Sequence, residues 1–182
     1  MALTISGTSN GSLNNLSLTT NTGTVVDTSV NPYLAYDSWY LTSNDATLGT
    51  HQVDGWTRDT TSVNTQIGSA MSESSSSWTF PSTGYWLIIW SPLFVLHSGD
   101  QVQTYMRVTT DNDTTTTDVG GNIAGPGWNH GHNYMQYLFD VEDTSTHKFR
   151  FIASSIDVSA GSYLAGGTID GTKAQFLKLG ET

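Results

Sequence analysis

From Tyr33 onward, short runs rich in β-branched and aromatic residues alternate with turn-forming clusters. In GDQVQTYMRVTT, Val102, Thr104, Met106 and Val108 fall on one side of an extended chain, and Gln101, Gln103, Tyr105 and Arg107 on the other. THKFRFIASS puts Phe149, Phe151 and Ala153 opposite Lys148 and Arg150. AYDSWYLT, SSWTF, YMQYLFDVED and GTKAQFLKLG read as further strands, and GTHQVDGWTRDTT as a loop with one possible strand. YMQYLFDVED and THKFRFIASS are expected to be joined by a tight turn at Asp143-Thr144-Ser145, and DNDTTTTDVGGNIAGPGWNHGH to form a long turn-rich loop. Gly, Asn, Asp and Ser bound the runs, and no segment keeps a helical period. The pattern predicts an all-β sandwich or jelly roll.

One run breaks the alternation. In Phe80–Trp90, FPSTGYWLIIW, Tyr85, Leu87 and Ile89 point one way and Trp86, Ile88 and Trp90 the other, and both sides are apolar. An antiparallel strand usually keeps one face in water. The run is too short to span a membrane, and no helix is at hand to cover it. A second copy of the chain fits best, because Trp and Tyr are enriched at interfaces and each buries about 150–250 Å². A wide central core strand and a binding groove are the alternatives. The residues expected in core or interface are Tyr85, Trp86, Ile88, Trp90, Tyr137, Phe149, Phe151 and Phe176.

Residues 1–32 are of a different kind. Asp27 is their one charge, and the first aromatic is Tyr33. Leu13, Leu16, Leu18, Val25 and Val26 are spaced among Asn, Thr and Gly, too polar for a helix. This is read as an extended docking arm that orders on a partner, with an edge strand of the main domain as the alternative. The domain proper is then 33–182.

Composition narrows the function. Across 182 residues, 6 Lys+Arg against 16 Asp+Glu give a net charge of −10. The scattered basic residues argue against nucleic acid as a partner. The absence of cysteine excludes disulfides, thiol catalysis and thiolate metal sites. The N-terminus lacks a basic start and apolar block, so no signal peptide is expected, and no apolar run approaches the roughly 18 residues of a membrane span, so no membrane partner is expected. GTSNG matches the G-x-S-x-G elbow around Ser9, but no helix follows it. His130 and His132 in NHGH could share a strand face and hold a metal with a third ligand. A solvated loop tip or a surface recognising a sugar or protein is the other reading. Asp111, Asn112 and Asp113, and Asp140, Glu142 and Asp143, are oxygen-rich but lack EF-hand spacing, and read as turns. No cofactor is expected. No particular pair among the acids stands out for glycoside hydrolysis.

WTFPSTGYWLI, from Trp78 to Ile88, resembles the F-x-x-P-x-x-G-x-Y signature of the C1q-like, tumour-necrosis-factor-like jelly roll. LFDVEDTSTHKFRF is placed like that family's paired strands near the end, and QFLKLG like its last strand. The resemblance covers roughly Tyr33 to Gly180 and implies a compact homotrimer with aromatic packing along its axis. The style is also similar to structural proteins of tailed bacteriophages, marine and cyanobacterial ones especially, on VxDTSTHKxxF and a terminal LG. No collagen-like or coiled-coil stalk precedes the domain, and no fibre shaft is present. The resemblance therefore implies a non-enzymatic trimeric capsid decoration or short head spike. It would be made in the host cytoplasm and carried on the virion exterior, with its arm on the major capsid protein or another virion protein. A receptor- or glycan-binding fibre tip using Trp56, Trp128 and Tyr134 is the alternative, and a polysaccharide-degrading enzyme a third.

Overall fold

The computed structural model describes residues 35–61, 66–97, 99–125, 130–154, 161–167 and 170–182. They form fourteen strands and no helix. In chain order the strands are β1 (Ala35–Leu41), β2 (His51–Gln52), β3 (Trp56–Arg58), β4 (Ser72–Ser74), β5 (Ser77–Thr79), β6 (Gly84–Ser91), β7 (Leu93–Val95), β8 (Val102–Thr109), β9 (Thr117–Ala124), β10 (His130–His132), β11 (Met135–Val141), β12 (Lys148–Ser154), β13 (Tyr163–Leu164) and β14 (Lys173–Gly180). No helix long and apolar enough to cross a membrane occurs among the described residues.

All named pairings are antiparallel. One sheet runs β11-β6-β14-β1-β3. A second runs β4-β5-β12-β8-β9, with β2 also beside β12. A small third sheet runs β10-β7-β13. Strands adjacent in sequence repeatedly belong to different sheets, as β5 and β6 do, and the result is a jelly-roll sandwich.

Aromatic side chains fill the space between the two large sheets. Trp90 on β6 packs on Phe151 of β12 with ring centroids 4.7 Å apart. Trp78 on β5 packs on Phe176 of β14 at 4.8 Å and edge-on against Trp39 of β1 at 4.9 Å. Trp78, Trp86, Trp90, Phe149, Phe151 and Phe176 are wholly buried. Val102, Thr104, Met106 and Val108 are buried too, as their alternation predicts. A polar clamp ties β1 to β3 beside this core. The Asp37 carboxylate accepts from Arg58 Nε (2.9 Å) and from the Met71 backbone N–H (2.9 Å). Arg58 also donates to the Met71 carbonyl (2.7 Å), and its guanidinium lies 4.5 Å from the Trp39 ring centroid. Asp37 is buried, so each carboxylate oxygen needs these partners.

Two sequence expectations are corrected. The stretch read as one long loop contains β9 and β10. β9 pairs with β8 across a register shift between Tyr105 and Met106, where Gly120 adopts a positive φ of 61°. An edge strand that is exposed for most of its length needs no apolar alternation, which is why it read as a loop. The tight turn at Asp143-Thr144-Ser145 is present, but the two strands it joins do not pair with each other as the family resemblance implies. β11 pairs with β6 and β12 pairs with β8, so the turn carries the chain from one sheet to the other. Asp143 caps that turn by accepting from Ser145, and these hydrogen bonds lower its pKa.

Candidate functional site

β6 is an interior strand of the five-stranded sheet, and its two sides have separate fates. Trp86, Ile88 and Trp90 turn inward and are fully buried within the single chain. Tyr85, Leu87 and Ile89 turn outward, with Tyr85 40% exposed and the other two half-buried. The neighbouring strands extend this outer side in register. Leu138 on β11 lies opposite Leu87, Leu87 opposite Leu177 on β14, and Leu177 opposite Tyr36 on β1. Four strands at about 4.8 Å spacing make this apolar row roughly 14 Å across. The next row holds Gln136, Ile89, Gln175 and Ser38. There Gln175 Nε2 donates to the Tyr36 hydroxyl (2.9 Å).

The most exposed apolar groups of this sheet gather towards one end of the face. Leu138 is 54% exposed, Leu179 44% and Tyr85 40%. Leu179 sits at a β-bulge between Lys178 and Gly180. The bulge is set against Gly84, whose φ is +130° and whose missing Cβ leaves room for the Gly180 carbonyl and the Lys178 side chain. Lys178 turns inward and makes both its carboxylate bonds to Glu181 at 2.8 Å. The outer face itself carries two charged residues on β6, β11 and β14, namely Asp140 and Lys173.

The sequence candidates divide accordingly. Trp86, Ile88, Trp90, Phe149, Phe151 and Phe176 are core, and Tyr137 packs against that core. Of the eight, Tyr85 alone is exposed. Leu138, Leu177, Leu179 and Tyr36 were not singled out in the sequence, although Leu138 alternates outward with Gln136 and Asp140 in YMQYLFDV. Trp56 is a correction. Expected on a ligand-facing loop, it is buried on β3, donates from Nε1 to the Val53 carbonyl (2.9 Å) and packs on Phe151. Tyr134 is exposed. Trp128, Ser9 and the arm residues Leu13, Leu16, Leu18, Val25 and Val26 lie outside the described residues.

His130 and His132 stand exposed on β10 rather than in a loop, paired with Val95 and Leu93 of β7. His132 Nδ1 lies 3.5 Å from the Ser91 hydroxyl. Among the described residues no group of three or more His, Cys, Asp or Glu is arranged to hold a metal ion. Asp111 accepts from Thr115 and Thr109, which lowers its pKa and occupies its oxygens in the turn. Ser162, Asp100 and His97 also converge, but not as a nucleophile and base. The Ser162 hydroxyl donates straight to the Asp100 carboxylate, and His97 contributes its backbone N–H to Ser162 (2.8 Å).

Comparison with known proteins places the fold. The chain is similar to crystal structures of murine APRIL at pH 5.0, pH 8.5 and pH 8.0, with TM-scores of 0.60, 0.58 and 0.57. In each case the identity is 12%, over 80% of this chain and 98% of that one. The fold is thus an all-β, TNF-like and C1q-like jelly roll. A scan of protein-family profiles and a search of curated proteins find no match.

Proposed function

We propose that this protein is a non-enzymatic structural component that self-associates as a homotrimer through the outer face of the β11-β6-β14-β1-β3 sheet. It would decorate the exterior of a bacteriophage capsid as a small knob or short head spike, anchored by residues 1–32. One observation carries the self-association: Leu138, Leu179 and Tyr85, each at least 40% exposed, adjoin an apolar row running across four strands. A sheet face meant for water would carry polar residues at these alternate positions. Contiguous apolar surface on a soluble domain marks a contact site. The TNF-like fold agrees with this reading, since the family resemblance implies a trimer.

The virion role rests on the resemblance of VEDTSTHKFRF to phage structural proteins and on the composition of the arm. Leu13, Leu16, Leu18, Val25 and Val26 would dock on the major capsid protein or another virion protein. Three arms per knob would raise the effective affinity by linkage alone. The test is binding of the purified protein to undecorated capsids. The full chain should bind and a chain lacking residues 1–30 should not. Equal binding by both would refute the anchoring role.

The exposure of Tyr134, at 62%, close in sequence to exposed His130 and His132, favours a second reading: a receptor- or glycan-binding tip. Residues 33–182 alone would then bind host cells and block infection, and Tyr134→Ala would abolish both.

A further inference from the structure

The outer face of the five-stranded sheet does not stop where that sheet does. Asn133 donates its backbone N–H to the Pro92 carbonyl (3.0 Å), so the β11–β6 register runs on unshifted into β10 and β7. Tyr134 therefore lies beside Ser91 on the outer side, with His132 and His130 following at alternate positions. Tyr134 is 62% exposed, and both histidines are exposed. The Ser91 hydroxyl lies 3.5 Å from His132 Nδ1. Across β14 and β1 the same row continues with Lys173 and Tyr40. This polar row lies six residues along β6 from Tyr85, about 20 Å, and is a separate surface from the apolar end of the face.

Lys173 gives this end its chemistry. The chain has 6 Lys+Arg against 16 Asp+Glu. Arg58, Arg107, Arg150 and Lys178 each pair with a carboxylate, and Lys148 donates to the Thr79 hydroxyl. Of the six, the Lys173 ammonium alone has no hydrogen bond or ion pair among the described residues. No acid stands in its row, which collects an ammonium, phenols and a hydroxyl beside an imidazole.

We propose that this end of the face binds an acidic sugar, with its carboxylate on Lys173 and its pyranose ring on Tyr134. The inference rests on the glycan-tip reading above and names the class of glycan. Tyr134 offers a flat apolar ring with a polar edge, which suits the C–H face of a sugar. Ser91, His132 and Tyr40 offer donors and acceptors to its hydroxyls. Charge sets the class. A chain of net charge −10 repels an anionic glycan over most of its surface and holds it where a free cation stands.

The test is calorimetric titration of the full chain with uronate- and sialate-containing oligosaccharides, beside the methyl esters of the same sugars. The esters keep the shape and lose the charge. At least one free acid should bind about tenfold or more tighter than its ester. Lys173→Gln should erase that preference and leave ester binding unchanged. Tyr134→Ala should weaken acid and ester alike. Lys173 makes no bond in the fold and Tyr134 is mostly in water, so thermal melts of both variants should match the wild type. Equal affinity for acid and ester, or an acid preference that survives Lys173→Gln, would overturn the inference and leave the glycan-tip reading standing. So would competition by acetate as strong as that of the sugar acid, which would mark simple anion attraction. No binding by any of these sugars would likewise overturn the inference. Failure of the chain to bind host cells would overturn the reading on which it rests.

Discussion

Placing a charge at Leu138 should dissolve the assembly without harming the fold. In a lone copy, 54% of Leu138 is already in water. Exchanging it for Arg therefore removes little that the monomer needs, and a surface change of this kind shifts folding stability by about 0.5 kcal/mol or less. In the proposed trimer the same residue would be covered. Burying a whole leucine is worth about 1.5–3 kcal/mol, so the exposed half contributes roughly 1 kcal/mol per copy and about 3 kcal/mol per trimer. A guanidinium forced into that contact without a partner adds a penalty of several kcal/mol. A total near 6 kcal/mol weakens association by about four decades, at 1.4 kcal/mol per decade. The assay is sedimentation equilibrium of L138R beside the wild type across the micromolar range, with a thermal melt of each at a dilution where both are monomeric. The expected result is a monomeric L138R with a wild-type monomer melt. A trimeric L138R of undiminished affinity would refute the placement of the interface. An L138R that fails to fold would refute the claim that this residue is spare in the single chain.

Three further outcomes test the fold that carries the face. Asp37→Ala leaves Arg58 and the Met71 N–H without their acceptor, and urea unfolding should show a loss of about 3 kcal/mol. Gly84→Ala puts a Cβ onto the Gly180 carbonyl at a backbone φ of +130°. A loss of about 2 kcal/mol or more is expected, together with weaker self-association, because the same bulge carries Leu179. The third is a pH profile of the Asp45–His51 pair, joined at 2.8 Å. Burial pushes the His51 pKa down, but the bonds to Asp45 and the Gly49 carbonyl outweigh it and leave the pKa raised. Burial pushes Asp45 up, and the bonds from His51 and Thr47 outweigh it and leave its pKa lowered. The His51 contribution is complete below its ordinary value of 6.5 and fades as pH rises through its raised folded value. The Asp45 contribution is complete above 3.8 and fades as pH falls through its lowered folded value. The melting-temperature gap between wild type and His51→Gln should thus be widest between these limits and narrow steadily towards pH 8. A gap that widens with rising pH would contradict the pairing.

The strands were legible where one side of each is buried and the other wet, because period-two alternation is then a direct record of burial. That holds for Val102–Val108 and for Phe149–Ala153, whose inner residues are all buried. It failed for Thr117–Ala124, an edge strand whose Gly, Asn and Asp satisfy an exposed, bulged backbone and record no core. Pairing was less legible than existence. A turn residue such as Asp143 looks the same whether the chain folds back on one sheet or crosses to the other. The double-sided character of Tyr85–Trp90 was plain, but which of its sides faces the core was not. Large aromatics serve core and interface equally well, and only the strand's phase against Gly84 and Phe176 separates the buried Trp86 from the exposed Tyr85. Leu138 and Leu179 were harder still. Their meaning lies in neighbours on other strands, brought into one row by registers that no local pattern records. Trp56 misled for a similar reason, since a three-residue strand between Asp54-Gly55 and Asp59 carries too little alternation to show its buried side.

The mass of the particle in solution bears most directly on the central claim. Sedimentation equilibrium of the full chain at micromolar concentration should give about three times the 19.7 kDa of one copy, roughly 59 kDa. A mass of one chain at that concentration, with Tyr85 and Leu138 left in water, would contradict it.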